Sequence, residues 1–515
     1  MTDEPKEDEH AGKKRAVIGG LWIAASQLIP LMGTAVLSIV MGRVLGPDQL
    51  GLQSFIAYVE ALLGALLLNV VTVMSIRLLS EAVGAQDEDR FRHLSRVTYL
   101  ANVAAGAVSA VVLSVVGLFS ATPTPWFVVA VSALVNGVGW GYGAIAIADR
   151  GWRPVASRRL ITQLIAVTLG IVAIFAGFGI TGVFVANVIA ALIVLVMLRR
   201  LVGPIPRASL RPLPHGLAHI WLQLLIMEGL VQIVQRRMEF LFLQAYSTEA
   251  QLAMYSIGFM VISTAAVIPQ SLMVAGLPGI AESFGAGTID RTASKLGSAL
   301  RIVSIASLPL TAGVVCLGPA MVIVLYGPDY TQAAELVPIM SLSLLFVTGG
   351  NLCATFWTGA NRLRRPIIGA SAGAVVDIAL AFLLIPQHGA WGAAIANLCG
   401  QTVMAVVMLY LTWRAVNRFP WMIGRWLGVL LYSAAVCAVV LLIVNAIGTS
   451  SEGEALVSLV AGGIAFLIAM LALGGSLGFV HGTDAEWLHT ALPGPLRRLS
   501  WLFTGWKTRS HALST

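Results

Sequence analysis

Fourteen apolar stretches, each of about 20 residues or more, divide this chain, and they leave few folds open. They lie at roughly 16–42, 52–80, 97–119, 125–147, 158–178 and 180–198, then at 218–245, 251–281, 296–317, 333–359, 366–385, 389–413, 424–447 and 455–479. A helix of that length matches the hydrocarbon thickness of a bilayer. Within lipid the backbone must satisfy its own hydrogen bonds, which a helix does unaided. The pattern therefore predicts an all-α, polytopic membrane protein with about fourteen transmembrane helices.

Composition agrees. Of the 515 residues 58% are hydrophobic and 11% charged, against about 25% charged in soluble proteins, and the mean hydropathy is +0.87. The net charge of +8 is no sign of nucleic-acid binding, because the basic residues sit in short loops between apolar runs. Lys13, Lys14 and Arg15 precede the first run, and further clusters fall at 90–96, 150–159, 199–211, 291–295, 362–365 and 414–425. Of the intervening loops, 119–125, 176–182 and 448–454 hold no Lys or Arg, and Arg43 is the exception on that side. Alternate basic loops predict an even number of spans with both termini cytoplasmic. Cys316, Cys353, Cys399 and Cys437 lie inside apolar runs without metal-ligand spacing and read as small hydrophobes.

An internal repeat organises the runs. Residues 81–90 read EAVGAQDEDR and 282–291 read ESFGAGTIDR, with six runs between the copies. An even number keeps both copies on one side of the membrane, so the halves repeat in parallel about an axis along the membrane normal. The expected organisation is a disordered cytoplasmic tail (1–15), an N-lobe of six helices (16–198) and a cytoplasmic linker (199–217). A pseudo-symmetric C-lobe of six helices (218–415), two extra helices (416–480) and a cytoplasmic amphipathic tail (481–515) follow. In that tail PLRRLSWLFTGWK (495–507) sets Trp and Phe beside Arg and Lys, as an interfacial segment does.

The seventh run carries three charges within four residues: LVQIVQRRMEFLFL at 230–243. A charge at the bilayer centre costs about 2.5–3.5 kcal/mol on insertion scales, so Arg236, Arg237 and Glu239 require a reason. On a helix Glu228, Gln232, Gln235 and Glu239 fall within about 60° of one another. Arg236 lies at the edge of that stripe and Arg237 points away from it. One polar face over several turns suits a cavity lining, and a set of inter-helix ion pairs is the alternative. Glu60 and Asp377 are isolated carboxylates at depth, able to take a coupling H⁺ or Na⁺ or to serve as helix-packing partners.

No enzyme is legible. The DED at 87–89 sits in a loop too short for a catalytic domain, and its repeat partner TID lacks the first acid. There is no phosphate-binding Gly-rich loop of the Walker type, and no cofactor or metal site is expected.

Three stretches resemble one family. GRVLGPDQLGLQSF (42–55), LYGPDYTQAAELVPIMSLSLLF (325–346) and LLIPQHGAWGAAIANL (383–398) are similar to loop and helix-entry segments of bacterial polysaccharide exporters, the Wzx-type or PST flippases. These belong to the multidrug/oligosaccharidyl-lipid/polysaccharide (MOP) superfamily, and the resemblance covers nearly the whole chain. It implies a flippase of the bacterial plasma membrane that moves undecaprenyl-pyrophosphate-linked oligosaccharide by alternating access, for cell-surface polysaccharide biosynthesis. Membrane lipids are its surroundings, and a polysaccharide polymerase and glycosyltransferases its expected partners. A lipid II flippase, a multidrug or cation antiporter of the same superfamily, and a non-transporting scaffold for glycan assembly are the alternatives.

Overall fold

The structure, a computed structural model, describes residues 5–205, 217–235, 238–285, 289–360, 362–416 and 423–477. Among these residues every regular element is helical. In chain order the α-helices are α1 (Pro5–Leu63), α2 (Val70–Gly84), α3 (Glu88–Leu118), α4 (Pro123–Arg150), α5 (Trp152–Phe175), α6 (Gly179–Val202), α7 (Leu217–Gln235) and α8 (Glu239–Tyr246). They continue with α9 (Glu249–Gly285), α10 (Ile289–Tyr326), α11 (Thr331–Ser341), α12 (Ser343–Gly359), α13 (Arg364–His388), α14 (Ala390–Val416), α15 (Ile423–Ile447) and α16 (Glu452–Leu477).

The all-helical membrane architecture is the one expected, and the described residues hold fewer separate long apolar helices than the fourteen expected spans. Among the described residues 11 helices are long and apolar enough to cross a membrane, or 12 if the bent pair Pro328–Ser341 and Ser343–Thr358 forms one span. Two local features account for the rest. Helix α1 runs into α2 through a π-helical turn at Gly64–Asn69, so two expected spans form one element from Ile29 to Gly84, broken at Gly46 (φ 81°, ψ 177°). The expected seventh span is represented by a short apolar helix, Trp221–Ile233.

Two compact units divide the chain. One comprises Ile29–Ser256, and the other Ile257–Thr515 together with Met1–Leu28. In the first, α3 and α4 pack backbone to backbone: a Cβ added at Gly106 would lie 2.8 Å from the Cα of Gly137. Beside this seam Asn102 of α3 is fully buried. Its side-chain amide donates to the Thr98 carbonyl (2.9 Å), and its amide oxygen accepts the Thr72 hydroxyl of α2 (2.9 Å). Trp126, Phe184, Ile56 and Leu113 form an apolar cluster at one end of α3 and α4, and Tyr142, Ile147, Val155 and Leu198 form another towards the α4–α5 turn.

The second unit is built around α10 and the α13–α14 pair. Leu300, Leu352, Phe356, Trp357 and Met408 make one cluster there. Cys316, Val436, Cys437 and Val440 make another, which joins α10 to α15. Cys316, Cys353 and Cys437 are buried, and they and Cys399 are free thiols.

Candidate functional site

Local sequence sets up a polar cavity in the first unit. At the end of α4, Gly151 takes φ 81°, a left-handed conformation that glycine adopts without a side-chain penalty. Its N–H closes on the Ile147 carbonyl at 2.9 Å, and α5 begins at the next residue, with Pro154 in its first turn where no helical amide is lost. The tight turn brings the Arg159 side chain back beside Gly143 of α4. A Cβ at Gly143 would stand 3.3 Å from the Arg159 guanidinium, so glycine there leaves the side chain room. The guanidinium lies over the Trp140 ring, its carbon 3.9 Å from the ring centroid.

Arg159 and Trp140 line a cavity of about 380 Å³ walled by α1, α4, α5 and α6. Glu60 reaches it from α1, one turn before the π-helical segment, and accepts the Ser132 hydroxyl at 2.8 Å. Asn136 donates to that same hydroxyl oxygen at 3.3 Å. Gln163 of α5 and Asn187 of α6 add amides to the wall. Among the described residues Arg159 forms no ion pair. The cavity thus brings together one guanidinium, one carboxylate, and hydroxyl and amide groups from four helices.

Of the residues singled out in the sequence, Glu60 is in this cavity. Glu228 and Gln232 meet on α7, the glutamine amide donating to the carboxylate at 2.7 Å, as their four-residue spacing dictates. Glu239 opens α8 and is 1% exposed. The next residue, Phe240, stacks on Tyr58 of α1 and meets Tyr255 of α9 edge-on. Arg236 and Arg237 lie outside the described residues, as does the Gln235 side chain. Asp377 of α13 belongs to the other unit and is 2% exposed; a Cβ at Gly400 of α14 would meet its side chain at 2.6 Å. At the next residue of α14, the Gln401 amide donates to the Asn397 side chain one turn earlier.

The residue that sequence reading missed is Arg159. It fell in the basic cluster at 150–159 and passed for a topology determinant in a loop. Helix α5 in fact starts at Trp152, six residues before the expected 158, which puts Arg159 about two turns inside the helix. The available signal was the run GWGYG at 139–143, where small residues alternate with aromatics opposite it.

Long apolar helices in two compact units, with buried polar groups and a cavity inside one of them, define a multi-pass membrane protein. A solved lipid II flippase MurJ, in an inward closed conformation, superposes with a TM-score of 0.68 at 14% identity, over 89% of this chain and 99% of that one. An inward-facing multidrug resistance MATE family transporter of the MOP superfamily follows at 0.64 and 13% identity, over 79% and 99%. The family model for lipid II flippase MurJ matches residues 53–461, and the chain belongs to that family. The uncharacterized membrane protein YabM of Bacillus subtilis (strain 168) is 27% identical over 193 residues, 35% of each chain, so the match spans about a third of that relative's length. The superfamily read from the loop motifs stands, and the branch that the family match names is the lipid II flippases.

Proposed function

We propose that this chain flips a polyprenyl-pyrophosphate-linked saccharide from the inner to the outer leaflet of the bacterial plasma membrane. The observation that carries this reading is the lipid II flippase family match over residues 53–461, on a fold with a polar cavity inside its first unit. A substrate of this kind keeps its apolar tail in lipid and needs a wet, partly basic route for its head. Lipid II is the substrate that the family match favours. The undecaprenyl-linked oligosaccharide of a surface polysaccharide is favoured by the exporter-like segments at 42–55, 325–346 and 383–398, and on that reading a polymerase and glycosyltransferases are the partners.

Transport on this reading is by alternating access, with both termini cytoplasmic. Arg236 meets the pyrophosphate through its planar fork. On this proposal Glu228, Gln232, Gln235 and Glu239 orient it. Glu60 or Asp377 takes the coupling H⁺ or Na⁺.

The test is a liposome assay with the full chain and fluorescent lipid II, or a fluorescent undecaprenyl-pyrophosphate disaccharide without the peptide. Substrate placed in one leaflet should become accessible in the other to a membrane-impermeant quencher. Accessibility no faster than in protein-free liposomes, for both lipids, overturns the flippase reading. Rescue of cells depleted of their own lipid II flippase separates the two substrates. Arg236→Lys should keep the folded yield and lose most transport. If Arg236→Ala combined with Glu239→Ala restores transport, Arg236 is a structural ion-pair partner instead.

A further inference from the structure

We propose that Arg159, seated on Trp140 at the wall of the α1–α4–α5–α6 cavity, is a second phosphate-binding group of the transport route. This inference rests on the reading above that the substrate head carries a pyrophosphate.

The geometry points there in three ways. First, the guanidinium carbon lies 3.9 Å from the centroid of the Trp140 ring, so the indole takes up one side of the cation. Arginine carries five N–H donors in one planar fork, more than a single aromatic contact occupies. A flat fork suits the two oxygens of a phosphate. Second, no carboxylate among the described residues neutralises it. The Glu60 carboxylate, in the same cavity, is engaged by the Ser132 hydroxyl at 2.8 Å. Third, the space fits. At about 380 Å³ the cavity falls in the roughly 300–1,000 Å³ range of small-molecule sites, and Gln163 and Asn187 offer further amide donors.

The shared chemistry is an anionic phosphate ester, which a polyprenyl-linked substrate presents as a pyrophosphate diester and an anionic membrane phospholipid as a phosphodiester. The experiment separates these sources. The full chain is placed in zwitterionic nanodiscs and titrated calorimetrically with inorganic pyrophosphate and with farnesyl pyrophosphate. Both should bind the native chain. Arg159→Gln should weaken both by about tenfold or more, since charge-assisted hydrogen bonds of this kind carry that much. Arg159→Lys should lose most of the affinity although it keeps the charge, because an ammonium has no plane to lay on the indole. Equal affinities for native chain and Arg159→Gln overturn the proposal. So does an Arg159→Gln chain that keeps its pyrophosphate affinity but loses its preference for nanodiscs containing phosphatidylglycerol, which would assign the guanidinium to a bulk lipid head. Should Arg159→Gln fail to fold, Trp140→Leu carries the test: it loosens the seat without touching charge, and unchanged pyrophosphate binding would again count against the site. Failure here is distinguishable from failure of the flippase reading. A native chain that flips lipid II while Arg159→Gln flips it equally well removes the Arg159 site and leaves the transport function standing.

Discussion

Each unit seats an arginine on a tryptophan, and the two seats have opposite surroundings. In the first unit Arg159 lies on Trp140 beside a polar cavity. In the second, Arg365 of α13 lies on Trp357 of α12 at 3.7 Å, in the first turn of its helix. There Trp357 is 4% exposed, packs with Phe356, Leu352 and Met408, and donates its indole N–H to Thr412 of α14 at 2.9 Å. These are the corresponding helix pairs in the repeat read from the sequence. The same side-chain pair thus serves as a wall of a wet cavity in one copy and as a rivet between α12, α13 and α14 in the other.

Four measurements sharpen or break this contrast. The largest effect is expected at the rivet. Trp357→Ala empties a filled core position and should cost about 3–5 kcal/mol, seen as loss of monodisperse protein on size-exclusion chromatography. Native yield and melting temperature would show that Trp357 is no core anchor. Next, Arg159→Gln should lower flipping about tenfold with little change in melting temperature. Arg365→Gln should do the converse, moving stability by about 0.5–2 kcal/mol and leaving flipping per folded molecule intact. Equal loss of transport in the two variants would erase the distinction between the seats. A smaller effect falls on Glu60. Glu60→Gln removes a carboxylate from the wall that an anion must share, and should tighten pyrophosphate binding by a few-fold, on the order of 1 kcal/mol. Weaker binding would mean that Glu60 supports the cation rather than opposing the ligand. The smallest effects come from keeping an aromatic face. Trp357→Phe loses its hydrogen bond to Thr412 and about 1 kcal/mol of stability, whereas Trp140→Phe should cost less than that in either binding or melting temperature.

Much of this was legible beforehand, for a physical reason. Length and hydropathy are properties of single runs, so spans such as 125–147, 389–413 and 424–447 could be placed within a few residues of α4, α14 and α15. Glu60 was legible as well, because an isolated carboxylate in an apolar run stands out against its own neighbours. Arg159 was not. Its neighbours Arg150, Arg153 and Arg158 form a basic cluster, and the charge rule for cytoplasmic loops explains such a cluster without remainder. Only the early start of α5 at Trp152, fixed by the Gly151 turn, separates Arg159 from that group. The second half of α1 was hidden in a similar way. Nothing in GRVLGPDQLG announces that the helix resumes straight after the break at Gly46 without a loop. At Gly64–Asn69 an apolar sequence gives no hint of π-helical winding.

Asn102 places a demand on how the chain is inserted. Helix α3 delivered by itself into lipid would carry an amide whose carbonyl oxygen has lost the Thr72 hydroxyl, and an unmet polar group in hydrocarbon is expensive. The amide end is provided for within its own helix, by the Thr98 carbonyl, so the debt is confined to one oxygen and to one neighbour. Helices α2 and α3 are joined by a short turn, Ala85–Asp87, whose Asp87 caps the first turn of α3 through the Arg90 N–H. The two therefore leave the insertion machinery as a hairpin that already holds its own glue. The order of synthesis, and not only the final packing, makes a buried asparagine tolerable at that position.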